Sequence, residues 1–272
     1  MPADRPIGVF DSGVGGLSVL QELRQLLPNE AYLYVGDTAR NPYGPQSAAT
    51  VIRYTLEAAS FLAKAEAKLV VIACNTATVV ALEATQRAHP QLPVVGVVEP
   101  GCLAAVAVTR GHVALLATQG TVNSGAHAAR IGELCPNTRV TGIPAPILVA
   151  LAEEGWLEGA VPDAAVDRYL GELFSTPGTA PDCLLIGCTH FSPLQGAIRK
   201  AVGAQTSLVD PADLTAQHTR AALRERGLLR GGSLTGRSRY CITADPARFA
   251  RVSGFFLRTP VTPDEVELIQ LG

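Results

Sequence analysis

The sequence predicts an α/β protein made of two similar units, each with a mostly parallel sheet. Three observations carry this. Short apolar, β-branched runs alternate with longer stretches of helical periodicity, the order that gives βαβ units with helices on both faces of a sheet. The alternation starts afresh near residue 112. The segment LVVIACNTAT at 69–78 is echoed by CLLIGCTHFS at 183–192. Each is an apolar run that ends in a small residue, a cysteine and a hydroxyl or amide neighbour.

A strand is expected over 7–10, then a helix over about 16–27 and a strand over 32–35. Residues 47–65 place Val51, Tyr54, Ala58, Phe61 and Leu62 on one face of a helix. The run 69–73 reads as a buried strand, 76–88 as the helix after it, and 94–97 as the next strand. In the second unit a strand at 112–117 precedes a helix over 121–134, and Val140 lies near a further short strand. Helices near 148–154 and 164–174 lead to a strand at 183–186 and a helix over about 194–201. A short strand at 208–209 and a helix over 211–226 follow. The tail adds a strand near 239–243, a helix near 246–256 and a last strand near 265–269.

A chain of 272 residues with 47% apolar side chains has ample material for a core. The formal net charge of -2 argues against a surface built for nucleic acid. The loose arginines at 224, 226, 230, 237 and 239 read as a solvated face. No signal segment or bilayer-length apolar stretch is visible, so the expected location is the cytoplasm, away from membranes. The six cysteines are then free thiols. They form no CxxC pair and no zinc-finger spacing, so no metal is expected.

Five motifs fall at expected strand ends, where open α/β sheets bind ligands. Cys74, followed by Asn75 and Thr76, stands at a helix N-terminus. Unpaired N–H groups there favour a thiolate and can hold a carboxylate. Read alone, the same residues fit a buried cysteine before a Thr76 cap. Cys188 is followed by Thr189 and by His190, which can position or deprotonate a thiol, or be a structural histidine. FDSGVGGLSV at 10–19 offers Asp11, placed to tune a base or take an ammonium, and Ser12. Its glycines do not meet the dinucleotide pattern and equally suit a plain β–α turn. GDTARNPYG at 36–44 turns at Pro42-Tyr43-Gly44, where a phenol could reach a ligand. ATQGTVNSG at 117–125 presents the hydroxyls of Thr118, Thr121 and Ser124, or simply caps a helix.

Two thiols suit inversion at a carbon, since one can remove a proton from one face while the other returns one to the opposite face. A free thiol near pKa 8.5 needs only modest tuning for this. Most enzymes that racemise amino acids use pyridoxal phosphate on a lysine. The three lysines here are Lys64 and Lys68, read as an i,i+4 pair ending a helix, and Lys200. None lies in a strand-end motif, so enolate-like charge would have to be held by N–H and hydroxyl donors in a water-poor site. A binding module that closes on an amino acid without turnover, or a thiol-redox protein, is the competing reading.

The phrases IGVFDSGVGGLSV, GDTARNPYG, IACNTAT, ATQGTVNSG and IGCTHF, in order from 7 to 191, together resemble the aspartate/glutamate racemase family. The tail YCITADPARF is similar to that family's C-terminal segment. The resemblance implies two α/β lobes with the active site in the cleft between them: 1–98 plus 208–272 as the first, 99–207 as the second. It implies Cys74 and Cys188 as the acid–base pair, with Asp11 assisting Cys74 and His190 assisting Cys188. Asp11, Ser12, Tyr43, Gly44, Asn75, Thr76, Thr189 and His190 would surround the substrate, with Glu153 near the second thiol. No cofactor and no metal are implied. The implied activity is interconversion of L- and D-glutamate for peptidoglycan synthesis, with another acidic amino acid such as aspartate as the alternative substrate, in a homodimer. Two departures stand out. Ser192 intervenes before Pro193, and His127 takes a place often held by tyrosine.

Overall fold

The computed structural model describes residues 2–176, 178–232 and 236–272. β1 (Ile7–Asp11), α1 (Leu17–Leu26), β2 (Tyr32–Gly36), α2 (Ala48–Lys64), β3 (Leu69–Ile72), α3 (Asn75–Ala88) and β4 (Val94–Gly96) open the chain. α4 (Val98–Val108) leads to β5 (His112–Ala117), α5 (Gln119–Asn123), α6 (Ala126–Leu134) and β6 (Arg139–Pro144). α7 (Pro146–Glu154), α8 (Ala160–Ser175), β7 (Cys183–Gly187), α9 (Gln195–Val202) and β8 (Ser207–Val209) come next. α10 (Ala212–Glu225), β9 (Ser238–Ile242), α11 (Pro246–Ser253) and β10 (Val266–Leu268) end it.

The strands form two sheets, one in the order β10-β9-β2-β1-β3-β4 and the other β6-β5-β7-β8. All their pairings are parallel. β1, β2, β3 and β7 are buried at every position, which is why they read as unbroken apolar runs rather than alternating ones. The tail strands β9 and β10 add to the sheet that begins the chain, so both chain ends share it. The expected boundary at 208 falls inside β8, which pairs with β7 and completes the second sheet.

Helix α2 shows how pattern becomes packing. Ser47 caps it by accepting from the Thr50 N–H, and it buries Val51, Thr55, Ala58, Ala59 and Leu62. Tyr54 and Phe61, expected on that face, are only partly buried. Thr55 takes an inward place because its hydroxyl donates to the Val51 carbonyl, leaving no unpaired group in the core.

Three expectations need correction. α4 was not anticipated: LAAVAV at 103–108 is apolar all round and shows no helical stripe. The helix expected over 121–134 is two, α5 and α6, because Gly125 takes a left-handed φ of 67° and redirects the chain. The helix expected over about 194–201 is α9, preceded by a 3-10 turn, Thr189–Leu194, with Pro193 inside it. Lys68 does not lie on a helix. α2 ends at Lys64, Glu66 has φ 60°, and the Lys68 ammonium is buried against the Glu30 carboxylate and the carbonyls of Ala3 and Leu228.

The largest apolar cluster runs continuously from Ile7 and Leu20 under the first sheet to Leu116, Leu184 and Phe191 of the second. At about 1.5–3 kcal/mol per fully buried aliphatic or aromatic side chain, this shared core ties the sheets together. α10 packs on both α1 and α4. Among the described residues no helix is long and apolar enough to cross a membrane.

Candidate active site

The carboxyl ends of β1, β3, β5 and β7 converge on one small cavity. β1 delivers Ser12, β3 delivers Cys74, Asn75 and Thr76, β5 delivers Thr118, and β7 delivers Cys188, Thr189 and His190. The loop after β2 adds Asn41, Pro42, Tyr43 and Gly44. Both thiols therefore face the same space, each only 6% exposed. The free volume among these side chains is about 20 Å³, room for little more than one water. The walls must part to admit an amino acid. A wider apolar groove of about 500 Å³, lined by Pro45, Pro146, Val149 and Ala150, shares Asn41, Gly44 and Thr118 with the cavity and forms its approach.

Cys74 caps α3. Its sulfur accepts from the Ala77 N–H at 3.5 Å, and its S–H donates to the Ser12 hydroxyl at 3.5 Å. Cys188 precedes the 3-10 turn, its sulfur 4.0 Å from Nδ1 of His190. Asn75 is 3% exposed, and among the described residues neither its amide oxygen nor its amide nitrogen has a protein partner. Both are therefore free to bond a molecule in the cavity that Asn75 lines. Asp11 does not line the wall. It lies fully buried behind Ser12, one oxygen accepting from the Gly13 N–H at 2.8 Å, with the Gly16 N–H also turned toward the carboxylate.

Close approach dictates two of the glycines. A Cβ at Gly15 would stand 2.5 Å from Nδ1 of His190, and one at Gly120 would stand 2.7 Å from the Gly44 carbonyl oxygen. These glycines let loops of the first sheet pass directly against those of the second. The Gly120 N–H donates to the Gly44 carbonyl across that junction at 3.2 Å.

The electrostatics differ at the two thiols. Burial pushes the Cys74 thiol up to about 12, and the nearby Asp11 carboxylate adds to this. The Ser12 hydroxyl and Ala77 N–H pull the other way and are outweighed. The modest tuning expected at Cys74 is thus overturned, because one helix N-terminus does not offset full desolvation. Burial also raises Asp11, against the opposing charge of His190. At His190 burial acts downward, but hydrogen bonds with Cys188 and Glu153 outweigh it and hold the ring above the usual imidazole range. Burial would raise Glu153, yet His190, Asn41 and Arg248 together hold it low.

Tyr43 departs from expectation. Its hydroxyl donates to the Asp37 carboxylate instead of reaching into the cavity. Asp37 is fully buried and collects donors from Arg40 at 2.7 Å and Thr243 at 3.0 Å as well, so the phenol serves the loop and the ring forms the wall. His127 lies on α6, away from the cavity, and burial lowers it to about 4. Asn41 and Val149 line the cavity without having been singled out. Asn41 lay inside a quoted motif, whereas nothing in the residues around Val149 marks it. Among the described residues no group of three or more His, Cys, Asp or Glu is placed to hold a metal ion.

Two buried thiols at equivalent strand ends of two parallel sheets open on one cavity, and the fold and its matches are those of a racemase. The chain belongs to the Asp/Glu/Hydantoin racemase family, whose sequence model it matches over residues 7–219, and it is an isomerase of that family. It is 45% identical to the glutamate racemase of Geobacter metallireducens over 254 residues, 93% of each chain. The crystal structure of glutamate racemase from Francisella tularensis in complex with D-glutamate superposes with a TM-score of 0.90 at 32% identity, covering 98% of both chains. RacE1, a glutamate racemase isoform from Bacillus anthracis, gives 0.90 and 32%, over 98% of this chain and 97% of its own.

Proposed function

We propose that this chain interconverts L- and D-glutamate without a cofactor by proton transfer to and from Cys74 and Cys188. The observation that carries the reading is the pair of thiols on one cavity, one from each sheet. The names of the relatives, and the D-glutamate held by the Francisella enzyme, favour glutamate over aspartate.

The lobes, 1–98 with 210–272 and 99–209 once β8 is kept with its sheet, part to admit the substrate and close again. The unpaired amide of Asn75 and the hydroxyls of Ser12, Thr76 and Thr189 hold the substrate's carboxylates. The thiolate on one face takes the α-proton. The electron pair left on the α-carbon delocalises into the carboxylate, where preorganised donors stabilise it. The thiol on the other face then gives its proton to the opposite side of the carbon. The protonation states of the two sulfurs are exchanged at the end of each turnover, and proton exchange with solvent resets them. Asp11 serves Cys74, and His190 serves Cys188 as its proton partner. D-glutamate made in this way supplies peptidoglycan synthesis in the cytoplasm, and the enzyme works as a homodimer.

The test is incubation with L-glutamate in deuterated water. D-glutamate carrying one α-deuterium is the expected product, and activity should survive exhaustive dialysis against chelator. Binding without solvent exchange at the α-carbon would reduce the protein to a binding module. Faster turnover of aspartate than of glutamate would move the substrate.

A further inference from the structure

Glu153, near the end of α7, is the meeting point of four elements. One carboxylate oxygen accepts from Nε2 of His190 at 3.1 Å and from the Asn41 amide at 2.8 Å. The other accepts from the Arg248 guanidinium at 2.8 Å. With Nε2 directed at Glu153, Nδ1 of the same ring faces the Cys188 sulfur. A continuous chain of polar contacts therefore runs from Arg248, half exposed on α11, through Glu153 and His190 to the thiol. The contributors divide between the sheets. Asn41 follows β2, and α11 follows β9 and packs against β10, so Asn41 and Arg248 belong with the six-stranded sheet. Glu153 and His190 follow β6 and β7 of the four-stranded sheet.

We propose that Arg248 is a positioning residue for the reaction. It anchors Glu153, and through it His190, in the arrangement that serves Cys188, and it does so only while the two sheets are closed on one another. The inference rests on the reading of Cys188 as an acid–base group and adds to it a residue outside the cavity.

The charges around these groups set the direction of the effect. His190 is faced by Cys188 from its own turn, by Glu153 from α7 and by Asp11 from the end of β1. The Phe256 ring meets it edge-on at 5.9 Å and carries no charge. Glu153 is faced by Arg248. Glu154 lies 3.9 Å from Arg248 and 4.0 Å from Arg251, so two arginines of α11 oppose two glutamates of α7. Arg248 offsets part of the negative field that Glu153 exerts on the imidazole. With the sheets closed, loss of Arg248 alone leaves the full charge of Glu153 on the imidazole, and the ring then holds its proton more tightly. A planar, always-charged fork suits this role better than a flexible ammonium.

The experiment compares Arg248→Met and Arg248→Lys with the unsubstituted chain, using nitrogen NMR of the imidazole rings and steady-state kinetics. Arg248→Met keeps the aliphatic stem. It should raise the His190 titration midpoint by about 0.5, less than a direct ion pair would, because Glu153 stands between the guanidinium and the ring. It should lower kcat several-fold with a smaller change in KM. Arg248→Lys should recover most of both. A midpoint unmoved in Arg248→Met overturns the proposal, whether or not kcat falls, because anchoring of the helix alone would leave the ring's titration in place. The NMR measurement needs no substrate, so it remains readable if the chain proves inactive on glutamate.

Discussion

Thr76 and Thr118 meet across the cleft with their hydroxyl oxygens 2.9 Å apart. Thr76 belongs to α3 on the first sheet, and Thr118 caps α5 on the second. Thr121 closes the group, 3.1 Å from Thr76 and 3.0 Å from Thr118. Three hydroxyls with one proton each can satisfy a three-membered ring. On opening, each trades a neighbour for water, so the ring favours closure only slightly.

Thr118→Val removes one member of the ring and three contacts, to the Thr76 hydroxyl and to the hydroxyl and N–H of Thr121. A net hydrogen bond is worth about 0.5–1.5 kcal/mol, so KM for glutamate should rise roughly 2- to 10-fold. The thermal midpoint should fall by only a few degrees, because the same hydroxyl caps the short helix α5 but lies in neither core. Steady-state kinetics with calorimetry check this, and an unchanged KM would take the hydroxyl ring out of closure.

Cys74→Ser and Cys188→Ser each remove one of the two thiols proposed to carry the α-proton. Positioned proton transfer contributes on the order of 10²–10⁴-fold, and each variant should lose at least that in kcat/KM. Enantiomers have equal free energy in water, so the loss must be the same whether L- or D-glutamate is supplied. Circular dichroism at a glutamate band follows both directions. A single variant with normal turnover would reject the two-base route.

Asp11 offers a test by pH. Its negative charge adds to the burial that holds Cys74 protonated up to about 12. Removing that charge makes the thiolate easier to form, so the midpoint for alkylation of Cys74 should move to lower pH in Asp11→Asn. Mass spectrometry of Cys74 in a Cys188→Ser background reads this directly. A midpoint that stays put or rises would mean that Asp11 is not charged beside the thiol.

Lys68 and Glu30 form a buried pair with side chains 1% and 2% exposed. Among the described residues, Lys68→Met leaves the carboxylate with the Arg230 N–H alone, and a broken buried pair costs about 3–5 kcal/mol. Adding Glu30→Leu should restore much of the loss. Denaturant titration checks both steps, and equal stability of the single and double variants would contradict the assignment.

The strand-end motifs were legible because their information is local. An apolar run, a small residue and a thiol or carboxylate lie within a few positions, and the strand carries that last residue to the sheet's edge whatever happens elsewhere. Ser12, Cys74, Asn75, Thr76, Thr189 and His190 reach the cavity on this account. α4 escaped notice because a helix buried on all sides has no stripe to read.

Other features depend on groups far apart in the chain. That the Tyr43 hydroxyl turns to Asp37 follows from that carboxylate's burial among donors as distant as Thr243. Glu153 takes on weight only once Arg248, 95 residues away, folds against it. Residue types and spacing could announce two thiols fit for proton transfer. How strongly Cys74 holds its proton, and what charge surrounds His190, were set by assembly of the two sheets. Desolvation and Coulomb energies depend on neighbours in space, and no local pattern specifies those neighbours.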